Sequence, residues 1–255
     1  MILRRLHNLR AHNWSAILLE LGIVILGVFI GTWVANWNQE RAAKAETRRM
    51  VEQLAPSLRQ LGAFFVATRD YHAVTRAYAD TAIAGWRREP QVSDAEFVIA
   101  AYQASQIIGI GTNGSAWANV LGADQLRRID DLATRNELSF LMAADYSSLD
   151  VGAVNTPYRP NVRRLIPIEI QEAIRAKCGD RPSRGKELFP HLPPTCDLQI
   201  APRDAAAAAA ILRAQPQLMQ DLQWHMAAEA ALLANIPAFE TVTNNLQRRS
   251  AGIEE

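Results

Sequence analysis

A predominantly apolar run of 19 residues, from Ala16 to Val34, constrains this chain more than any other feature. Glu20 is its only ionisable side chain. At a rise of 1.5 Å per residue, a helix of this length extends for about 28 Å, which is close to the roughly 30 Å hydrocarbon core of a bilayer. The sequence therefore predicts a transmembrane helix over residues 16–34.

Tryptophan residues lie at both ends of this run. Trp14 precedes it, whereas Trp33 and Trp37 lie at its far end, and indole rings are enriched at the two membrane interfaces. We predict that these three residues anchor the helix there. The alternative is a cleaved signal peptide, but its apolar region is normally about 7 to 15 residues long, and no small-residue cleavage site directly follows Val34. An uncleaved anchor is therefore favoured.

The basic residues around the span predict its orientation. Residues 1–15 form a short tail with three arginines and no acidic residue, while residues 35–49 mix four basic residues with two acidic ones. Long domains cross the membrane largely regardless of charge, and a short basic tail tends to stay inside. We predict a cytoplasmic N-terminus and a periplasmic domain over residues 35–255, at a bacterial inner membrane.

Small residues recur along one face of the predicted span. Gly27, Gly31 and Ala35 are four residues apart, a spacing that lets two membrane helices approach closely. Glu20 lies two turns before Gly27 on the same side, and a carboxylate in a bilayer is costly unless it faces protein or reaches the interface. We predict that these four residues contact the membrane helix of a second copy or of another protein. Alternatively, Glu20 reaches the headgroups and the glycines are ordinary composition.

Beyond the span, apolar residues recur at helical intervals, and no alternating strand pattern is present. Residues 51–72 form one helical seam, in which Pro56 indicates either a kink or the start of a new helix. Capping-box spacings at Ser93–Glu96 and Thr134–Glu137 predict two helix N-termini. Further helices are expected at 115–121, 167–177, 204–214, 218–235 and after Pro237. The predicted fold is all-α, with one N-terminal transmembrane helix followed by an extramembrane helical bundle.

The stretch 151–202 differs from the rest because it is rich in proline and glycine and contains both cysteines. Cys178 and Cys196 bracket a segment that is poor in helix formers, and a disulfide that closes such a loop contributes about 3 kcal/mol. We predict this disulfide, which would persist in an oxidising compartment; two free thiols are the alternative. The stretch is expected to form an irregular excursion of the helical domain, either ordered or a mobile lid.

The sequence contains no convincing catalytic, cofactor or metal motif. Gly109–Gly114 has the Gly-x-Gly-x-x-Gly spacing, but a capped helix precedes it instead of a strand, so we interpret it as a loop. The five histidines show no ligand spacing. His72 is expected to be partly buried or to flank the seam, and His225 to lie on a mixed helical face, with a soft-metal site as the less favoured interpretation. With 27 basic and 26 acidic side chains, the chain also lacks the basic excess of a nucleic-acid binder.

Residues 20–31, ELGIVILGVFIG, are followed closely by residues 36–41, NWNQER. This segment resembles the N-terminal signature of a family of uncharacterised bacterial single-span inner-membrane proteins, in which a span with a glutamate and spaced glycines ends in Asn-Trp-Asn. A looser similarity to that family's outer helical segment involves Trp117, Leu126, Ile129, Asp131 and Leu138. The resemblance implies membrane placement and carries no assigned activity.

Together, these features favour a non-enzymatic membrane protein that acts in assembly or partner binding through its outer domain and its transmembrane helix. The predicted partners are the lipid bilayer and either a second copy or another membrane protein, and the sequence identifies no small-molecule ligand. A periplasmic sensor module is the alternative. Because the N-terminal tail is too short to fold into an output domain, such a signal would pass through a partner's helix.

Overall fold

The computed structural model describes residues 14–108, 122–146, 155–181 and 189–250. Within these ranges the chain forms nine α-helices and no β-strand, which confirms the predicted all-α class. The helices are α1 (Trp14–Trp86), α2 (Asp94–Gln103), α3 (Ala123–Arg127), α4 (Leu132–Ala143), α5 (Tyr158–Leu165), α6 (Ile168–Cys178), α7 (Pro202–Arg213), α8 (Pro216–Leu233) and α9 (Ile236–Ser250).

Helix α1 has 73 residues and is therefore about 110 Å long. It continues through Pro56, so the apolar run and the seam at residues 51–72 belong to one helix. A proline inside a helix removes one backbone hydrogen bond, and Pro56 lies on the exposed side, where water can satisfy the freed carbonyl group. Among the described residues, α1 is the one helix long and apolar enough to cross a membrane, and its apolar window is not buried in the protein.

A tight turn reverses the chain after α1. Arg88 adopts a left-handed conformation with φ 58°, and the N–H group of Glu89 donates to the carbonyl oxygen of Ala84, as in a Schellman motif. Ser93 then caps α2: its hydroxyl accepts from the N–H group of Glu96, and the Glu96 carboxylate accepts from the N–H group of Ser93. This confirms the predicted capping box. Helix α2 packs back along α1.

The second half of α1 contacts two apolar clusters. The first core packs α4 and α9 against α1 between Leu54 and Phe65. The second core packs α2 and α5 to α8 around α1 between Tyr71 and Ala82. The largest fully buried side chains of the two cores are Leu58, Phe65, Leu138 and Leu141 in the first, and Phe97, Tyr102, Tyr158, Ile174, Leu212 and Leu222 in the second.

Helix α4 begins one turn earlier than the sequence predicted. Asp131 is its N-cap, because the Asp131 carboxylate accepts from the N–H group of Thr134, which lies inside the first turn. The predicted capping box that starts at Thr134 is therefore wrong. The Glu137 carboxylate instead accepts hydrogen bonds from Asn245 and Arg249 of α9, so tertiary contacts engage the side chain that the cap would need.

The stretch 151–202 is less irregular than predicted, because it contains α5 and α6. Pro157 and Pro167 immediately precede these helices, at positions where a missing N–H group removes no helical hydrogen bond. Helix α6 confirms the predicted helix at 167–177. Pro157 and Pro167 thus mark helix starts within this stretch.

The rest of this stretch, where it is described, is tied to the second core. Cys178 and Cys196 form the predicted disulfide, with Cα atoms 5.4 Å apart. Leu192 is buried, and the hydroxyl group of Tyr78 donates to the carbonyl oxygen of Pro193 at 2.9 Å. Of the two alternatives, an ordered excursion therefore describes residues 189–201.

The three remaining C-terminal helices agree with their predicted positions. Helices α7 and α8 each begin two residues earlier than predicted, because Pro202 and Pro216 form their first turns. Helix α9 contains Pro237 near its start. The predicted helix at 115–121 and the loop at Gly109–Gly114 lie outside the described residues, as does Trp117.

Candidate functional site

A buried polar layer separates the two cores. On α1, the inward-facing seam continues from the first core through Thr68, His72 and Thr75, each of which is at most 2% exposed. Helix α8 contributes His225 and Glu229, which are 1% and 3% exposed. Buried charged and polar side chains are unusual in a helical core unless they are paired.

Glu229 lies between two imidazole rings. Its Oε2 atom is 3.5 Å from Nδ1 of His72, and its Oε1 atom is 3.2 Å from Nε2 of His225. These two imidazole nitrogens make no well-formed hydrogen bond, and the contacts are ion pairs only when the imidazoles are protonated. On the other side of His225, Oγ1 of Thr156 lies 2.6 Å from Nδ1 and orients the ring.

The electrostatics of the layer centre on Glu229. Burial by itself raises the pKa of this carboxyl group, because a buried charge is poorly solvated. The adjacent His225 and His72 outweigh burial, so the pKa of Glu229 lies below its ordinary value. The layer therefore contains a carboxylate between two groups that can bind protons.

Aromatic rings cover both imidazoles. The ring centroid of Tyr71 lies 5.4 Å from that of His72, and the ring centroid of Tyr158 lies 5.8 Å from that of His225. Among the described residues, no group of three or more His, Cys, Asp or Glu side chains has an arrangement that could hold a metal ion. What the layer can do is bind protons and fix the register of α8 on α1, because sliding one helix would leave a buried charge unpaired.

The predicted membrane residues lie on the uncovered half of α1. From residue 14 to residue 42, the described side chains are exposed apart from the half-buried Gly22. Trp14 and Trp33 are 75% and 67% exposed, and Trp37 lies beneath the guanidinium group of Arg41 at 4.8 Å. This half of the helix buries none of its apolar surface against the described part of the chain.

The predicted helix-contact residues share one face. Glu20, Gly27, Gly31 and Ala35 fall within about a quarter of the helix circumference, because α1 is continuous at 100° per residue. A Cβ atom added at Gly27 or at Gly31 would meet no atom within 4 Å. The four residues are therefore brought together on α1, but no described residue packs against them.

Two surface grooves border the covered half of α1. One, of about 570 Å³, lies between the start of this half, residues 128–131 and the end of α9. There, Nζ of Lys44 is 2.8 Å from the carboxylate of Asp130, which raises the pKa of Lys44. The other groove, of about 480 Å³, lies between α1 residues 63–74 and residues 189–192.

No protein-family model, curated protein or solved structure matches this chain. The resemblance of residues 20–41 to a family of single-span membrane proteins therefore stays a prediction.

Sequence patterns did not reveal the polar layer. His72 was expected to be partly buried or to flank the seam, and it is fully buried; His225 was expected on a mixed face, and Glu229 was not singled out. Two local signals were available: His72 continues a buried seam, and His225 and Glu229 are four residues apart on one helix. The missing information was the contact between α1 and α8, which only the tertiary structure supplies.

Proposed function

We propose that this protein is a non-enzymatic, single-pass membrane protein whose helical domain serves assembly or partner binding at a bacterial inner membrane. The observation that carries the proposal is the contrast along α1. The helix is apolar and uncovered over residues 16–34, and it is packed from Thr47 onward. An exposed apolar surface of this extent is unfavourable in water and favourable in lipid.

The proposed orientation is based on the residues that flank the span. The short basic tail is proposed to stay in the cytoplasm, with residues 35–255 in the periplasm. The Cys178–Cys196 disulfide supports this side, because such bonds persist in oxidising compartments.

The continuity of α1 supports a role in assembly. No break separates the proposed span from the two cores, so the rotation and tilt of the outer domain follow those of the membrane helix. The face that carries Glu20, Gly27, Gly31 and Ala35 is proposed to contact the membrane helix of a second copy or of another membrane protein. Such a contact would fix how neighbouring outer domains face each other.

A periplasmic sensor module is the second candidate function, and the polar layer favours it. His72, whose ring lies beside Glu229, is on the same helix as the proposed span. A change in the charge of the layer would act directly on α1. The output would then pass along α1 to a partner's membrane helix.

Membrane placement is tested by fractionation and protease accessibility. We expect the full chain to sediment with membranes, to resist extraction by high salt or alkali, and to dissolve in mild detergent. In spheroplasts, an added protease should digest the outer domain and leave a small N-terminal fragment. A full-length chain in the soluble fraction, or an outer domain that is protected in spheroplasts and cut only after lysis, would refute the proposal.

The assembly role is tested by chemical cross-linking in intact membranes, followed by purification in mild detergent. A homo-oligomer or a constant membrane partner of defined stoichiometry is the expected result. A monomer at every protein concentration, with a thermal stability that depends on external pH, would instead favour the sensor function.

A further inference from the structure

Two arginines from α5 converge on the residues that follow α2. Arg159 and Arg163 both donate to the carbonyl oxygen of Ser105. Arg163 also donates to Oγ of Ser105 at 3.0 Å and to Oε1 of Gln106 at 2.8 Å. Both guanidinium groups are thus held on one short segment at the edge of the second core.

A third arginine approaches the same place from α6. Arg175 donates to the hydroxyl oxygen of Tyr102 at 3.0 Å, and the guanidinium group of Arg163 lies 4.8 Å from the centre of the Tyr102 ring. Tyr102 is fully buried, so its ring provides a rigid platform. The three arginines therefore have fixed positions around residues 102–106.

All of the acceptors in these contacts are neutral. In the part of the chain that the structure describes, no carboxylate lies within ion-pair distance of Arg159, Arg163 or Arg175. The carboxylate of Asp180, at the end of α6, accepts a hydrogen bond from the hydroxyl group of Tyr71 instead.

Their neutral acceptors distinguish these three arginines from other arginines that join helices in this protein. Arg213 pairs with Asp94 at 2.6 Å, and Arg249 contacts Glu137 at 3.0 Å. Such pairs neutralise charge where helices meet. The arginines around residues 102–106 form no such ion pair with any carboxylate of the described residues.

The proximity of three positively charged guanidinium groups is electrostatically unfavourable. Burial lowers the pKa of Arg163, and the positive charges of Arg159 and Arg175 lower it further. Like charges held this close destabilise the fold unless an anion neutralises them. Guanidinium groups are suited to binding such an anion, because their planar N–H forks bind phosphate and carboxylate oxygens in pairs.

We propose that Arg159, Arg163 and Arg175 form a binding site for a soluble oxyanion, namely a phosphate group, either free or carried by a small solute. Three positive charges are balanced better by a phosphate dianion than by a single carboxylate. The neutral contacts to Ser105, Gln106 and Tyr102 hold the arginines in place, and their remaining N–H groups, which have no acceptor among the described residues, can donate to the ligand.

The position of the site separates it from membrane lipids. The hydroxyl group of Tyr71 on α1 donates to Asp180, which follows α6 by two residues, and α6 carries Arg175, so the cluster lies near the level of Tyr71. Tyr71 is 37 positions beyond Val34, which is roughly 55 Å along the helix. If residues 16–34 span a bilayer with α1 upright, headgroups of the same membrane are out of reach and the ligand is a solute. The arginine geometry itself does not depend on the membrane proposal.

The proposal is tested by thermal unfolding and calorimetry of the full chain in mild detergent, with inorganic phosphate as the probe and chloride at matched ionic strength as the reference. The Tm should rise with phosphate, by roughly 5 °C at about a hundred times its Kd. Arg175→Gln removes one exposed guanidinium group and should raise the Kd at least tenfold. Arg163→Gln should have the same effect.

Arg164→Gln is the matched control, because Arg164 is the exposed neighbour of Arg163 and donates only to Asn161 among its described contacts. It should bind phosphate like the unaltered chain. If Arg163→Gln fails to fold, Arg175→Gln decides the outcome. Equal Tm values in phosphate and chloride, or an Arg175→Gln chain that binds phosphate normally, would overturn the site.

The same titration in nanodiscs distinguishes solute from lipid. A soluble ligand predicts the same phosphate response in nanodiscs of anionic and of zwitterionic lipid. If anionic lipid abolishes the response, headgroups already occupy the arginines, and the assignment to a soluble ligand is wrong.

Discussion

The two halves of α1 have the same secondary structure and opposite surroundings. Over residues 14–42 the described side chains are exposed, and Phe29, for example, is 73% exposed. In the second half, by contrast, Phe65 is fully buried. The first half is the more continuously apolar of the two, yet none of its apolar window is buried against the described part of the chain. Helix formation is local, but the burial of an apolar face needs a partner of some kind. For the second half that partner is the rest of the chain, and for the first half we propose that it is lipid.

The polar layer should be the most sensitive point of the covered half. Glu229→Ala would remove the carboxylate between His72 and His225 and leave a cavity, so we expect a loss of about 3 kcal/mol in the free energy of unfolding. Chemical denaturation in detergent measures this loss of stability. Glu52→Gln is the control, because Glu52 forms an exposed pair with Arg48 and its replacement should change stability little. Equal stability of the two variants would show that the layer is not a stabilising contact.

Glycine substitutions should distinguish the two halves directly. A Cβ atom at Gly85 would lie 2.7 Å from Cβ of the buried Phe97, so Gly85→Ala should destabilise the fold by about 2 kcal/mol through overpacking. A Cβ atom at Gly22, on the face opposite the proposed helix contact, meets nothing within 4 Å, so Gly22→Ala should leave stability unchanged or slightly raised. Thermal unfolding compares the two. A destabilised Gly22→Ala chain would mean that the face opposite the proposed contact is covered by protein instead of lipid.

Leucine substitutions on opposite faces of the first half of α1 test whether this half mediates association between membrane helices. Gly31→Leu should weaken a helix contact in lipid about tenfold, because leucine keeps the two backbones apart. Gly22→Leu is the matched control, since Gly22 faces away from Glu20 and Gly31 and also has no atom within 4 Å of an added Cβ. Cross-linking yield against lipid dilution measures the difference. If Gly31→Leu cross-links as well as the control, this face is not the contact.

The smallest expected effect is a pH dependence of the covered half at acid pH. The pKa of Glu229 is lowered in the fold, so its stabilising contribution is fully present above its ordinary value of 4.5 and is lost as pH falls through the folded value. In Glu229→Gln this contribution is absent. The stability difference between the two chains, followed by denaturation from pH 7 to pH 3, should therefore narrow only below about pH 4.5. A difference that narrows already between pH 7 and 5 would contradict the assignment.

Local signals in the sequence predicted most of the helices correctly. The side chains of Ser93 and Glu96 form a cap with backbone groups within three residues, so their spacing alone was sufficient. Thr134 and Glu137 have the same spacing, but Glu137 is held by Asn245 and Arg249, and Asp131 takes the cap. A local pattern fails where a distant part of the chain competes for the same side chain.

The candidate sites also differ in whether a local sequence pattern could predict them. The face with Glu20 and the glycines follows from spacing along one helix, and it remains a prediction. The polar layer and the arginine cluster could not be predicted, because each joins segments far apart in the sequence. His72 alone has no ligand spacing, and Arg163 alone resembles any basic residue on a helix.

The sequence by itself determined the all-α class, the apolar first half of α1 and the position of the cysteine pair, because periodicity, composition and loop spacing act over short distances. Only the tertiary structure decided that α1 continues through Pro56 into both cores, that Glu229 lies between two imidazoles, and that three arginines meet with no described carboxylate within ion-pair distance. Those features depend on which helices pack together, and packing is set by the summed burial of many side chains instead of any one motif.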